Sequence, residues 1–266
     1  MIELTVGIPM FRAKYIGWLP MESLIRQEDI DFEWELIIIE ELSNSEVFGL
    51  DNIMKYKESL KNVGCVEIKY TPLKAWIPLA EKHRRLGQAT AETSRIYASN
   101  AADNYSAPKR LARHYEAFKE NIQCHLPTKG VYYSLSENIA YVRDTDHSHR
   151  KDDVAGIARC SKSMRKIQTS KKLTAIDMWM WQQHIKIARE TGSTVAIKID
   201  DSDNWKYGLN VRGFNNISDL NFSKVKFNKE RAPYPVDEIK KHIPAEVMKR
   251  LKDSCVNLGK HKRSFS

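Results

Sequence analysis

Leu36-Ile37-Ile38-Ile39-Glu40-Glu41-Leu42-Ser43 is the stretch on which the fold of this chain turns. From Trp34 to Ile39 the residues are β-rich, and the run ends abruptly in two acids. Leu42 to Ser45 then reads as a loop, and a helix-like stretch continues through Lys61, which makes a β-α unit. Upstream, Leu4 to Ile8 is a short apolar run closed by Pro9, and Tyr15 to Ile25 carries Ile16, Leu19, Leu24 and Ile25 at helical spacing. Downstream, Val66 to Tyr70 reads as a third strand and Leu79 to Thr93 as a helix rich in Ala, Leu, Glu and Arg. Arg95 to Ala98 is a short buried strand, Ser99 to Ala107 a polar segment, and Pro108 a first-turn residue for a helix over Lys109 to Asn121. Strands alternating with helices imply an α/β fold with a mostly parallel central sheet, in which ligands gather at the carboxyl ends of the strands.

The later chain is less regular. Two strand-like runs lie within Val131 to Val142, a charged segment follows from Arg143 to Arg165, and Ala175 to Glu190 is an amphipathic helix with Asp177 in its first turn. Beyond it come the stretch Thr194 to Ile199, an acidic-polar loop at Asp200 to Asn204, an asparagine-rich turn at Asn210 to Ser218 and a basic C-terminal region. At 266 residues the chain holds one large domain with a C-terminal appendage. The boundary is expected at residue 190, with 191-266 as an acceptor-side extension packed on the same domain. The longest strongly apolar stretch is too short to cross a bilayer and the N-terminus lacks the organisation of a signal peptide, so a cytoplasmic protein is expected. The four cysteines, Cys65, Cys124, Cys160 and Cys255, are far apart and are read as reduced thiols. A net charge of +9 favours a polyanionic partner: nucleic acid, an anionic membrane surface or a diphosphate-bearing substrate.

Thr5-Val6-Gly7-Ile8-Pro9-Met10-Phe11, then Leu36 to Ser43, then Ala102-Asp103-Asn104-Tyr105-Ser106-Ala107-Pro108-Lys109-Arg110-Leu111 occur in an order that resembles the family 2 glycosyltransferases. The resemblance covers residues 1 to 190 and implies a GT-A-type, Rossmann-like domain that binds a nucleotide-sugar. It implies that Pro9, Phe11, Glu40, Glu41, Arg84, Arg85, Asn100 and Asn104 surround the donor and that Asp103 is the ligand of a divalent metal, Mn2+ or Mg2+. Glu40 or Glu41 would accept from the base N–H, and Arg84 and Arg85 suit a diphosphate or else lie on a solvated helix face. A hard cation bridging the phosphates would neutralise charge on the leaving nucleotide, although Asp103 at the start of a helix also reads as a cap. The family's further acids are absent: Ala101 and Asn104 stand in the acidic motif, and Ile176 precedes Asp177. Asp177 corresponds to the family's catalytic base, or it is a first-turn acid complementing the helix dipole. Trp179, Asn210, Arg212 and Asn215 are the acceptor-side candidates, with core packing the competing reading for Trp179 and a simple turn for the asparagine-rich loop. Asp144, Asp146 and His147, and likewise Asp200, Asp201 and Asp203, are charged clusters outside the core assignment.

Two acceptors fit the chain. A hydroxymethylated base in double-stranded DNA suits the positive charge and the tail Lys260-His261-Lys262-Arg263, and the resemblance extends to compact phage-type DNA-modifying sugar transferases. A lipid-linked or surface glycan, with the charge holding the protein at an anionic membrane by peripheral contact, is the alternative. A nucleotidyltransferase would want strand-end acids too, but no glycine-rich phosphate loop with G-K-[ST] is present. A non-enzymatic nucleic-acid-binding protein would explain the charge without the ordered strand-end residues.

Overall fold

The protein was analysed as a computed structural model, which describes residues 1–42, 46–127, 129–135, 137–144, 156–168, 176–190, 197–200, 208–212 and 231–263. In chain order the elements are β1 (Ile2–Met10), α1 (Trp18–Leu24), β2 (Glu33–Glu41), α2 (Leu50–Met54), α3 (Lys57–Asn62), β3 (Cys65–Leu73), α4 (Leu79–Ala89), β4 (Ile96–Ser99), β5 (Asn104–Ser106) and α5 (Arg110–Phe118). They continue as β6 (Cys124–Pro127), β7 (Lys129–Ser134), β8 (Ile139–Asp144), β9 (Ala158–Cys160), α6 (Ser161–Arg165), α7 (Ile176–Glu190), β10 (Ile197–Asp200), β11 (Gly208–Arg212), β12 (Arg231–Tyr234), α8 (Val236–His242) and α9 (Ala245–Arg263).

The aliphatic run of β2 makes it a central strand because both of its faces are covered. Leu36 and Ile38 turn to one side, where Leu4, Val6, Ile8, Ile96 and Ala98 pack with Trp18 and Leu19 of α1 and Leu111 and Phe118 of α5. Ile37 and Ile39 turn to the other, against Tyr97, Ala80 and Leu86 of α4, Met164 of α6 and Trp179, Met180 and Ile187 of α7. The buried positions of α4 (Ala80, His83, Leu86 and Gly87) recur at helical spacing, so its packing face is written in its sequence.

Among the described residues the main sheet has seven strands in the order β10-β6-β9-β4-β1-β2-β3. β1 runs parallel to β2 and β4, β2 parallel to β3, and β10 parallel to β6. The main sheet is mostly parallel, as expected, but mixed rather than purely parallel, because β9 enters antiparallel to both β4 and β6. Nor is this sheet alone: a second one, ordered β12-β8-β7-β11-β5, pairs mostly antiparallel. Two segments read as loops account for the difference. The polar Ser99 to Ala107 contains β5, and the charged Arg143 to Arg165 contains β9 and α6. Both strands are three residues long and carry polar side chains that are buried, so neither shows an apolar signature. β6 likewise lies in a segment that did not read as a strand.

The order β4-β1-β2-β3 matters most for function. The chain steps outward from β1 to β2 and β3, then returns to the other side of β1 for β4, so its direction of travel reverses between β1 and β4. At such a switch point the connections leave on opposite faces and open a crevice at the carboxyl ends of the strands. Cys65, Cys124 and Cys160 are free thiols, and no described helix is long and apolar enough to cross a membrane.

Candidate functional site

The crevice lies where Pro9, Met10 and Phe11 leave β1 and Asn100 leaves β4. Gly7 pairs with Ser99 in register, and the Asn100 N–H donates to the Gly7 carbonyl at 3.0 Å. Gly7 is needed here, since a Cβ at this position would overlap the hydroxyl of Tyr97 lying across it. Ser99 is clasped from two elements: the buried Arg110 of α5 donates from Nη2 to its carbonyl, and the buried Arg159 of β9 donates from Nη1 to its Oγ at 3.0 Å. The loop that follows is anchored at its far end as well, because the Val211 N–H donates to the Asp103 carbonyl at 2.9 Å and Asn104 pairs with Asn210 across β5 and β11.

Asn100 is fully buried, its Oδ1 accepting the Ala101 N–H at 3.1 Å and its Nδ2 directed at Ser106 Oγ, 3.4 Å away. Asn104 is 1 % exposed and its Nδ2 has no hydrogen-bond partner among the described residues. A buried amide donor left unsatisfied costs about 1–3 kcal/mol, which a ligand oxygen would recover. Asp103 is half-buried beside it. These residues do not compose a complete cation site. Mn2+ or Mg2+ takes about six oxygen ligands, whereas Asn100 has spent its oxygen on Ala101, the unsatisfied atom of Asn104 is a donor and not an acceptor, and no group of three or more His, Cys, Asp and Glu side chains gathers among the described residues. No step below is therefore routed through a metal.

The two acids ending β2 have separate fates because successive strand residues face opposite ways. Glu40 is fully buried and accepts the Phe48 N–H at 2.6 Å, the Gly49 N–H at 2.9 Å and the Tyr70 hydroxyl at 2.9 Å. Burial and then the Glu40 carboxylate push the Tyr70 hydroxyl pKa upward, so Tyr70 stays a donor. This carboxylate ties the loop after β2 to the sheet. Glu41 faces α4, and its Oε2 accepts from Lys82 Nζ at 2.7 Å. Lys82 is only 3 % exposed, and its ammonium also lies 5.1 Å from the centre of the Phe11 ring. The guanidinium of Arg12 is 5.1 Å from the same ring, and Arg12 holds a left-handed backbone with φ 50° just where β1 ends. A non-glycine residue in that region stores strain on the order of 1–3 kcal/mol, a feature that clusters at functional sites.

Thus Lys82 and Arg12 lie by Phe11 just beyond the end of β1, as Arg110 and Arg159 lie by Ser99 at the end of β4, and the sequence reading named none of the four as donor-binding. Arg84 and Arg85 are instead held by Glu81 on α4 itself, Arg84 through two bonds of 2.6 Å and Arg85 through one of 3.0 Å. Those bonds, led by the one from Arg84, lower the Glu81 pKa to about 2. The signal that separates Lys82 from its neighbours is its place on the buried stripe of α4, one residue before His83. Trp179 is buried in the core between α7 and the sheet, so its ring packs against apolar neighbours. Asp177 is the second residue of α7. Asn210 and Arg212 lie on β11, brought to the Asp103–Asn104 loop by strand pairing, whereas Asn215 lies outside the described residues. Asp146, His147, Asp201 and Asp203 also lie outside them; Asp144 and Asp200 end β8 and β10.

One further segment borders this edge. Residues 74–78 join β3 to α4 and carry Trp76, which is 53 % exposed; Leu42, just after β2, is 38 % exposed. The Leu42 N–H donates to the Leu73 carbonyl at 2.8 Å, and Glu41 pairs with Leu73, so this loop is continuous with the Glu41–Lys82 pair.

The same arrangement of strands and helices is found in a solved bacterial enzyme. The TarS 1–349 segment of S. aureus in complex with UDP superposes with a TM-score of 0.57 at 14 % identity, over 80 % of this chain and 61 % of that one. The chain has a GT-A-like fold. The complex of the same segment with UDP-GlcNAc gives a TM-score of 0.56 at 12 % identity, over 79 % of this chain and 59 % of that one. Against the longer TarS structure the TM-score is 0.54, and this chain spans only 37 % of it. No protein-family model and no curated protein matches the sequence. Identities this low establish the GT-A-like fold and leave the chemistry to be argued from the residues of the crevice.

Proposed function

We propose that this protein is a glycosyltransferase that moves a sugar from a nucleoside-diphosphate donor, a UDP-sugar, to an acceptor hydroxyl. The observation that carries the reading is the topological switch point between β1 and β4, in a fold shared with a protein crystallised with UDP and with UDP-GlcNAc. Near it lie Lys82, paired with Glu41, Arg12, paired with Glu46 at 3.8 Å, and an unsatisfied buried donor, Asn104 Nδ2. Those groups suit phosphate oxygens, while the Glu41 carboxylate suits a base N–H. In this reading Asp177 removes the acceptor hydroxyl proton as the oxygen attacks the anomeric carbon opposite the departing diphosphate. Asp103 stands on the loop that faces the diphosphate, and residues 191-266 form the acceptor side.

The acceptor we favour is a hydroxymethylated base in duplex DNA, supported by the net charge of +9 and the basic residues that close α9. To meet the donor sugar, such a base would have to leave the stack.

Binding of UDP, GDP, CDP and TDP, each with and without manganese, tests the donor assignment by thermal shift. Saturating UDP is expected to raise the melting temperature by about 5 °C through mass action. Asp177→Asn should keep that shift and lose turnover of UDP-sugar by about 100-fold or more. A melting temperature indifferent to all the nucleotides would remove the donor reading.

A further inference from the structure

We propose that Trp76 is the surface on which the nucleobase of the donor stacks, and so the residue through which this site grips the nucleoside half of its substrate; the inference rests on the donor reading above. Among the described residues Trp76 is the one aromatic side chain in the set of large exposed hydrophobics. An indole left half in water forgoes a large burial gain, whereas a planar ligand laid on its face recovers that area. The loop is pinned on both sides of the ring. Leu73 is buried before it, and Ile77 and Leu79 pack against the core cluster of Ile37, Ile39 and Tyr97 after it. Held by its neighbours while its own side chain faces outward, Trp76 is preorganised, which limits the entropy lost on binding.

Its position along the sheet edge names the occupant. The diphosphate belongs at the switch point between β1 and β4, and β3 lies two strands from β1, or about 10 Å at ordinary strand spacing. That is roughly the reach of a ribose between its diphosphate and its base. Between β1 and β3, β2 ends in Glu41, which pairs with Leu73 of β3 and with Lys82 of α4, and the following Leu42 is tied to Leu73, three residues before Trp76. On the other side of the switch lie Asn100 and Asn104, whose amides suit sugar hydroxyls, with Asn210 paired to Asn104 across β5 and β11. The nucleoside therefore extends toward β3 and the sugar toward β5.

Isothermal titration of the whole chain with UDP and, as a base-free probe, with inorganic pyrophosphate distinguishes the possibilities. Trp76→Ala is expected to weaken UDP about tenfold or more, since stacking of one base on an aromatic ring is worth that much, and to leave pyrophosphate unchanged. Trp76→Phe, which keeps a flat face, should stay within about threefold of the parent for UDP. Unchanged UDP affinity in Trp76→Ala overturns the assignment, and so does an equal loss for UDP and pyrophosphate, the mark of a merely structural role. Normal UDP affinity with weakened UDP-GlcNAc would put the ring against the sugar and overturn it while leaving the donor reading intact. If the unsubstituted chain binds pyrophosphate but no nucleotide, the donor reading falls and this assignment with it.

Discussion

Glu40 and Glu41 differ in what they do because a strand turns adjacent side chains to opposite faces. Glu40 meets two backbone N–H groups and the Tyr70 hydroxyl, while Glu41 meets the ammonium of Lys82. Glu40→Ala would strand the Phe48 and Gly49 donors and the hydroxyl of Tyr70 in a largely dry setting. We expect a loss of about 3 kcal/mol in urea unfolding, with Glu40→Gln, which keeps one accepting oxygen, losing about half as much. A midpoint unaltered by Glu40→Ala would show that the carboxylate is not a staple. That an acid pair ends β2 is plain from the sequence. Which acid serves the crevice is not, since it depends on the β3 tyrosine at one face and the α4 lysine at the other. Lys82 itself stands in the run Glu81-Lys82-His83-Arg84-Arg85, where charge alone gives it no distinction; burial sets it apart.

At the level of elements, α4 and α7 each place a histidine in the core, His83 and His184. Burial, followed by the positive charge of Arg159, lowers both pKa values to about 3, with Lys82 contributing further at His83. The Nε2 of His184 lies 3.3 Å from the Met164 sulfur of α6, which offers no charge to support an imidazolium. In the unfolded chain these rings titrate near 6.5. Their neutral burial therefore contributes stability that is complete above about pH 6.5 and is lost as pH falls from there toward 3, because the unfolded state takes up the protons first. Unfolding free energy at pH 5 should be lower than at pH 7.5 by on the order of 2–4 kcal/mol. Equal urea midpoints at the two pH values would contradict this, and His83→Gln should reduce the difference without abolishing it, because burial also lowers the pKa of His114 on α5. The closeness of α4 to α6 has its own signature in Gly87, where a Cβ would collide with the Met164 carbonyl.

Across the whole molecule, the C-terminal helices join the core that begins at β1. Ile239 of α8 and Val247, Met248 and Leu251 of α9 are buried in the same cluster as Leu4, Val6 and Trp18. Arg250 lies over the Trp18 ring at 4.2 Å and donates to Glu22 at 3.2 Å, and Arg26 pairs with Glu246 at 3.2 Å. With its apolar stripe committed to the core, α9 leaves Lys249, Lys252 and their neighbours to solvent. A duplex acceptor would feel this charge. Affinity for hydroxymethylated duplex DNA should then fall by about 10-fold or more between 50 and 200 mM salt, since each phosphate neutralised releases counterion. Weak binding that ignores salt would remove the DNA acceptor and favour a glycan.

Taken alone, the sequence was sufficient for the alternation of strands and helices through α5, the unbroken aliphatic run of β2 and the placing of polar residues at strand ends, because these follow from local periodicity and from the covering of both sheet faces. Asn100, Asp103 and Asn104 stood out as a group through the resemblance of the polar segment after the fourth strand to a family motif. The antiparallel insertion of β9, the second sheet and the pairing of β11 with the Asn104 strand were decided only in three dimensions. Short strands bury their polar residues through partners distant in the chain, as Arg159 does through Ser99, and no local pattern records such a partner. The same holds at the crevice, where Lys82 rather than Arg84 or Arg85 reaches the strand ends, because helix rotation against the sheet, and not the order of basic residues, decides which of them points inward.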